Sequence, residues 1–194
     1  MKFSIRTALL STLSVGMAAS CSWGGFGEGD YLTDGLEGDP LGSEGVAVKI
    51  GQPMSYSLTK VMATKPGKNP RITRVELDAD DGVELVDVGV LDSKASVGAI
   101  VVDEFPPEPF FRDYPEDRDN FHRGLPTGPV PAKVPWSLVG AVVTRNEGPT
   151  TVRSVTVTYE IDGGTHQQTF AAPVNFCGYT DDPDDVKCEA PDID

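Results

Sequence analysis

Apolar side chains recur at every second position over much of this chain, and this alternation restricts the fold more than any other feature. It is clearest in four segments, at residues 46–50, 54–58, 73–77 and 155–161. Such alternation places one face of a β-strand on a core and the other face in water. The segment 136–144 is apolar on both faces, which predicts a central strand, and 99–102 is a shorter strand candidate.

Turn-forming residues separate the alternating segments. Asp and Gly stand at 81–82 and again at 162–164, each time between two alternating runs. Both residue types tolerate the positive φ that tight turns need, so each site predicts a hairpin. The run 83–91 changes phase near Leu85, which predicts a β-bulge. After the first 20 residues no segment carries a helical period, so we expect no helix.

These patterns predict an all-β domain, an antiparallel β-sandwich of about seven to nine short strands. The arrangement resembles an immunoglobulin-like or fibronectin-type architecture. It departs from the antibody-domain spacing of Cys, Trp and Cys, because Cys177 and Cys188 both lie near the C-terminus. The resemblance therefore concerns architecture alone and implies no function, since such sandwiches host many.

A long segment, residues 104–135, interrupts the alternation; we call it the Pro/aromatic segment. It contains eight prolines among aromatic and charged side chains. Loops of this length in a compact domain are uncommon and often functional. Its aromatic content favours a loop packed onto the sandwich, because disordered segments are poor in aromatics. Two interpretations stay open: the aromatics cover an open end or face of the sheets, or they contact a partner through Phe110, Phe111, Tyr114 and Phe121.

The first 21 residues have the features of an export signal. Lys2 and Arg6 precede a mostly apolar run at 8–19, and small residues stand directly before Cys21. The run is shorter than the ~20 residues that span a bilayer, so it predicts a signal peptide. The segment resembles a bacterial lipoprotein signal, in which the cysteine that ends the lipobox becomes the lipidated N-terminus. That family usually has Leu three positions before the cysteine, where this chain has Ala18.

The lipoprotein resemblance implies a diacylglyceryl group on Cys21. It also implies a location on the outer face of the bacterial cytoplasmic membrane or in the cell envelope. Ala18 and Ser20 also suit an ordinary signal peptidase, so a freely secreted protein is the alternative. The predicted organisation is a signal peptide (1–20), a flexible Gly-rich acidic tether (21–44), the β-sandwich (45–178) and an acidic C-terminal tail with a disulfide loop (179–194).

The cysteine count agrees with this organisation. The chain has three cysteines, and an odd number in an oxidising compartment requires an explanation. A lipid on Cys21 leaves Cys177 and Cys188 to form one disulfide near the C-terminus. In an exported protein a disulfide is favoured over two free thiols. A zinc site is disfavoured, because no histidine lies near these two cysteines.

The chain is strongly acidic, with 16 lysine and arginine residues against 30 aspartate and glutamate residues and a net charge of −14. A surface of this sign repels nucleic acid and anionic lipid, so a nucleic-acid-binding role is excluded. The C-terminal loop concentrates four carboxylates, which are the ligand type that calcium prefers. Its weak calcium candidates are Asp181, Asp182, Asp184 and Asp185, although a solvated acidic loop is the simpler interpretation.

The sequence contains no recognised catalytic or cofactor motif. The two histidines, His122 and His166, are not part of a nucleophile arrangement, and no Gly-x-Ser-x-Gly or phosphate loop is present. We therefore expect a non-enzymatic binding or structural module without a cofactor, whose partner besides the membrane is an envelope protein or a glycan. Two alternatives remain. One is an exported enzyme acting on carbohydrate or cell wall through acids of the Pro/aromatic segment. The other is a calcium-stabilised adhesin-like domain.

Overall fold

Two β-sheets make up most of the fold. The structure is a computed structural model that describes residues 32–34, 45–92, 99–132 and 134–191. The predicted signal peptide, Cys21 and nearly all of the predicted tether lie outside these residues. The strands, in chain order, are β1 (Leu32–Asp34), β2 (Gly45–Lys49), β3 (Met54–Ala63), β4 (Arg71–Ala79), β5 (Val83–Leu91), β6 (Val101–Val102), β7 (Phe121–Arg123), β8 (Trp136–Thr144), β9 (Gly148–Ile161) and β10 (Gly164–Tyr179).

The larger sheet has the strand order β1-β3-β8-β5-β7, with β6 pairing with β3. The smaller sheet has the order β2-β10-β9-β4. All pairs are antiparallel except β2 and β10, which run parallel through Asn175–Tyr179. The predicted all-β class and two-sheet, sandwich-like arrangement are therefore present, with more strands than the alternation alone predicted.

The core lies between the sheets and is built from the apolar face of each alternating strand. Val155, Val157 and Tyr159 of β9 are buried, while their neighbours face outward. The rings of Tyr56 on β3 and Phe176 on β10 meet edge-to-face across the two sheets, with centroids 5.0 Å apart. Every residue of β8 is buried, which confirms the predicted central strand between β3 and β5.

Of the two predicted hairpins, one is confirmed and one is wrong. Asp162 and Gly163 have φ of 51° and 80° and join β9 to β10 in a two-residue hairpin. The turn at 81–82 instead carries the chain from β4 in one sheet to β5 in the other. There the Gly82 carbonyl accepts a hydrogen bond from the amide of Arg145, at 2.7 Å, so the turn contacts the β8–β9 connection. The bulge near Leu85 is confirmed by a shift in the β5–β8 register.

The expectation of no helix was wrong in three short places. These are the α-helix α1 (Glu108–Asp113) and the 3₁₀ helices η1 (Pro115–Asn120) and η2 (Pro183–Asp185). Pro115 and Pro183 are the first residues of η1 and η2, and Pro109 is the second residue of α1, positions where the missing N–H of proline is not needed. Elements of three to six residues are too short to show a 3.6-residue period, and packing stabilises such helices more than propensity does.

Candidate functional site

The first part of the Pro/aromatic segment, residues 105–121, covers the outer face of the larger sheet. Its second part instead reaches the smaller sheet, where the N–H of Thr127 donates to the carbonyl oxygen of Ile72 on β4 at 2.9 Å, and Val130 joins the core between the sheets. Together with the larger sheet, the first part builds a second apolar cluster, separate from that core. The buried members of this cluster are Leu91, Ile100, Phe110, Phe111 and Val139. Since Val139 belongs to β8, this cluster explains why the central strand is apolar on both faces.

Ring contacts and cations hold the segment in place. Phe121 packs against Phe105 and Phe111, with ring centroids 6.0 and 5.4 Å away. The guanidinium of Arg118 lies 5.5 Å from the centre of the Phe111 ring, and that of Arg123 lies 5.6 Å from the centre of the Phe105 ring. Such cation–π contacts add to the apolar burial. This first part of the segment is therefore an ordered cover for the larger sheet.

The four predicted contact residues lie in different environments. Phe110 and Phe111 are only 8 % and 3 % exposed, and Phe121 is partly buried. Tyr114 is 48 % exposed and stacks on Phe110, with centroids 4.8 Å apart. Packing accounts for the three phenylalanines, and Tyr114 is the member of the set with a large surface in solvent.

The acids that the enzyme alternative would use are mostly in solvent. Asp113, Glu116 and Asp119 are exposed, while Asp117 is buried. Glycoside hydrolysis needs two carboxyl groups facing each other across a substrate cleft. The three exposed acids lie in solvent on the short helices α1 and η1.

The C-terminal tail crosses the smaller sheet and is fixed there. Cys177 of β10 and Cys188 of the tail form the predicted disulfide, with Cα atoms 5.6 Å apart. The side-chain amide of Asn175 donates to the carbonyl oxygen of Glu189 at 2.9 Å. A Cβ at Gly45 would lie 2.5 Å from the backbone of Cys188, so the tail also touches the start of β2. Three contacts thus hold the tail against one end of the sheet.

A groove of about 880 Å³ lies between this tail and the outer face of β9 and β10. Its volume is within the range of small-ligand pockets. Its lining combines prolines and alanines with amide, hydroxyl and charged groups. The lining residues are Pro149, Thr151, Arg153, Ala171, Pro173, Asn175, Lys187, Glu189, Ala190 and Pro191. Sequence reasoning missed this groove, because its walls come from three separate segments and no local pattern marks them.

Hydrogen bonds fix the polar part of the groove. Thr151 Oγ1 and Asn175 Oδ1 are 2.8 Å apart, so the hydroxyl donates to the amide oxygen. Arg153 forms an ion pair with Asp80. The side-chain hydrogen bond from Arg153, with a backbone hydrogen bond from Thr151, holds the pKa of Asp80 below its usual value. The groove wall therefore carries two cationic side chains. The charge of Arg153 is balanced by Asp80, and Lys187 is the other cation of the lining.

The acidic loop at residues 181–185 is exposed at its described side chains, and one of its carboxylates accepts a hydrogen bond from within the loop. Asp181, Asp182 and Asp184 are exposed, and the side chain of Asp185 lies outside the described residues. Asp182 Oδ1 accepts the backbone N–H of Asp184 at 2.9 Å, which caps η2. Across the described part of the chain, no three His, Cys, Asp or Glu side chains form a group that could hold a metal ion. The loop geometry therefore assigns Asp182 a capping role.

The histidines occupy separate strands. His122 is exposed on β7, and His166 on β10 stacks on Tyr159 with ring centroids 5.6 Å apart.

Within the described ranges no helix is both long and apolar enough to cross a membrane. Comparison with protein-family models, curated proteins and solved structures finds no match to this chain.

Proposed function

We propose that the protein is an exported, membrane-tethered β-sandwich of immunoglobulin-like architecture that binds an envelope protein or a glycan without catalysing a reaction. The groove between the C-terminal tail and the smaller sheet carries this proposal. It is a preformed cavity of about 880 Å³ whose tail wall is fixed by a disulfide. Preformed walls lower the entropy lost on binding, which favours a recognition surface.

Export is supported by the cysteines. A disulfide persists in an oxidising compartment, and the Cys177–Cys188 bond fits such a location. The basic start, the apolar run and the small residues before Cys21 supply the export signal. A diacylglyceryl group on Cys21 would anchor the chain, since stable anchoring requires more than one acyl chain. The Gly-rich residues between Cys21 and β1 would then separate the lipid from the domain.

The binding class is favoured by the groove chemistry. Proline and alanine side chains give it an apolar wall, while Thr151, Asn175 and Lys187 place polar groups at its surface. Small-molecule and glycan sites combine apolar surface with a few positioned polar groups in this way. A groove open along one side also admits an extended chain, which a partner protein or a glycan strand can supply.

Membrane attachment is tested by mass spectrometry of the protein extracted from its native membrane without reduction. We expect a diacylglyceryl group on Cys21 together with a Cys177–Cys188 link. The Cys21→Ser variant should leave the membrane fraction while keeping its melting temperature, because the sandwich does not need the lipid to fold. An unmodified Cys21 in the native protein would contradict the anchor and make the protein a secreted one.

Binding through the groove is tested by the Glu189→Trp variant, whose indole would occupy part of the cavity at its tail wall. The matched control is Glu160→Trp, an exposed residue at the other end of the same sheet. Quantitative cross-linking in intact cells should show an envelope partner lost from Glu189→Trp and kept by Glu160→Trp. Equal partner recovery with both variants would rule out the groove as the contact.

A further inference from the structure

One side of the first half of β10 has no neighbouring strand among the described residues. On its other side β10 pairs with β9 from Gly164 to Gly178. On the open side, β2 pairs with Asn175–Tyr179, so within the described part of the chain Gly164–Ala172 forms a sheet edge. We call these residues the β10 edge. An unpaired edge presents main-chain donors and acceptors that can bind another strand.

The hairpin determines which main-chain groups face outward from the β10 edge. In a two-residue hairpin the residues flanking the turn, Ile161 and Gly164, bond to each other, and alternate pairs follow. The N–H and C=O groups of the intervening residues therefore point to the open side. Those residues are Thr165, Gln167, Thr169 and Ala171, and their side chains are all exposed. Four consecutive alternate positions are thus available for pairing.

The β10 edge also lacks the charges that usually protect an exposed strand. The run Gly163–Thr180 contains no Asp, Glu, Lys or Arg, although 24 % of the chain is charged. The opposite edge of the same sheet, β4, carries Arg74, Glu76 and Asp78. Charged side chains on an edge strand disfavour pairing with another chain. Of the two edges of the smaller sheet, the β10 edge is therefore the one that permits pairing with another chain.

We propose that two copies of this chain pair through their β10 edges, antiparallel and about a twofold axis. Across most of its surface a chain of net charge −14 repels a second copy. At the β10 edge two copies meet without bringing carboxylates together. An isologous contact needs a self-complementary surface, which an antiparallel strand edge provides. This inference depends neither on the groove ligand nor on the lipid.

The hydrogen-bonding pattern selects the register. A twofold axis at Gln168 pairs Thr165 with Ala171 and Gln167 with Thr169, so all four outward-facing residues form hydrogen-bonded pairs. Pairing cannot extend past Pro173, which has no N–H, and a bulge between Ala171 and Val174 bends the strand there. The two Gln168 residues then lie opposite each other as a non-hydrogen-bonded pair, with Cα atoms about 4.5 Å apart.

Cysteine cross-linking of the full chain in cells that produce it tests this register. Gln168→Cys should form a covalent dimer under a mild oxidant, because about 4.5 Å is within the Cα range of a disulfide. Thr165→Cys is the matched control on the same edge. In the proposed register its two copies lie six residues apart, about 20 Å, so it should not cross-link. Mass analysis of the linked peptide separates this bond from any link through Cys21.

A charge substitution gives a second test without an added cysteine. Gln167→Lys places like charges diagonally across the twofold axis and should reduce the dimer about two- to fivefold in sedimentation at equal concentration, because like charges on neighbouring strands destabilise their pairing. Ser154→Lys adds the same charge on the outer face of β9, away from the edge, and should leave the dimer intact. Both variants lower the net negative charge, so only an effect at the edge explains a difference between them.

Three results would overturn the proposal. One is the absence of a Gln168→Cys dimer when the chain is present at its native abundance. Another is equal cross-linking of Thr165→Cys and Gln168→Cys, which would indicate random collision. The third is a monomer at all concentrations whose amides at Thr165, Gln167 and Thr169 are protected from exchange, because these amides would then be bonded within the same chain.

Discussion

The outer faces of the two sheets differ, because one is covered by another part of the chain and the other carries polar side chains. The larger sheet is covered by the first part of the Pro/aromatic segment, which buries Phe110 and Phe111 against it. The outer face of the smaller sheet carries polar side chains, among them Thr156 and Thr169, whose hydroxyls are hydrogen-bonded at 3.0 Å. The covered face thus adds to the apolar core, while the polar face stays available to partners along its groove and at the β10 edge.

The largest expected effect is on the covered face. Phe111→Ala removes a ring that is 3 % exposed and leaves a cavity, so the free energy of unfolding should fall by about 3–5 kcal/mol. Urea denaturation measures it. Thr169→Ala on the polar face is the control and should change stability by about 0.5 kcal/mol or less. Similar losses for both variants would mean that the two faces do not differ in their contribution to stability.

The disulfide should have the next largest effect, and it acts on the polar face. Cys188→Ser opens a loop of sequence separation 11, which in the chain-entropy model lowers stability by about 2–3 kcal/mol. It also releases the tail that forms one wall of the groove. Hydrogen exchange should therefore rise at Lys187–Ala190 and stay unchanged at Phe110 and Phe111. Faster exchange in the Pro/aromatic segment would show that the two faces are coupled.

A smaller effect should arise where the cover touches the larger sheet. A Cβ at Gly89 on β5 would overlap the ring of Phe121, so Gly89→Ala should lower stability by about 1–3 kcal/mol. Adding Phe121→Leu should recover part of this loss by making room. Gly128→Ala is the control, because its Cβ would sit 3.6 Å from Trp136 at ordinary contact distance. Thermal melting of the four proteins distinguishes overlap from a general effect of removing glycine.

The smallest expected effect concerns two surface ion pairs. Hydrogen bonds from Arg153 and Arg145 lower the pKa of Asp80 and Glu84 from ordinary values of 3.8 and 4.5. A lowered folded-state pKa stabilises the fold at a pH above the unfolded-state pKa, and this is lost as the pH falls through the folded-state pKa.

An Arg145→Gln, Arg153→Gln double variant should therefore be slightly less stable than the native chain at pH 7. The two proteins should converge in urea midpoint as the pH falls below about 4, where the carboxylates become protonated. Both pairs are exposed, so added salt should also reduce the difference. A gap that persists unchanged into acid would assign the effect of the arginines to packing.

Much of the fold was predictable from the sequence, because a strand with one buried face has an apolar residue at every second position. Alternation located β2, β3, β4 and β9, and the double apolar face of 136–144 located the centre of the larger sheet, whereas the longest strand, β10, was expected only as the strand after the turn at 162–164. The turn at 81–82 shows the limit of this pattern. Alternation indicates which face of a strand is buried, but it does not indicate which sheet the strand joins. In the sequence, a turn between two sheets therefore looks the same as a hairpin.

The candidate site was less predictable, for a different physical reason. The groove is formed by the β9–β10 face and a tail that a disulfide brings across it, so its walls come together only in the folded chain. The Pro/aromatic segment was identified by composition, yet its composition did not say which rings face the sheet. Phe110 and Phe111 have the same chemistry as any exposed contact pair, and only their packing shows that they are buried.

The contact between Gly45 and Cys188 gives the domain a mechanical property. The first residue of β2 lies against the tail, so a load applied to the tail reaches β2 directly and reaches β10 through the disulfide. We expect these two parallel strands, which pair along Asn175–Tyr179, to share that load. Ahead of β2 the chain passes through β1, which pairs with β3, so a pull between the N-terminal side and the tail must cross both sheets.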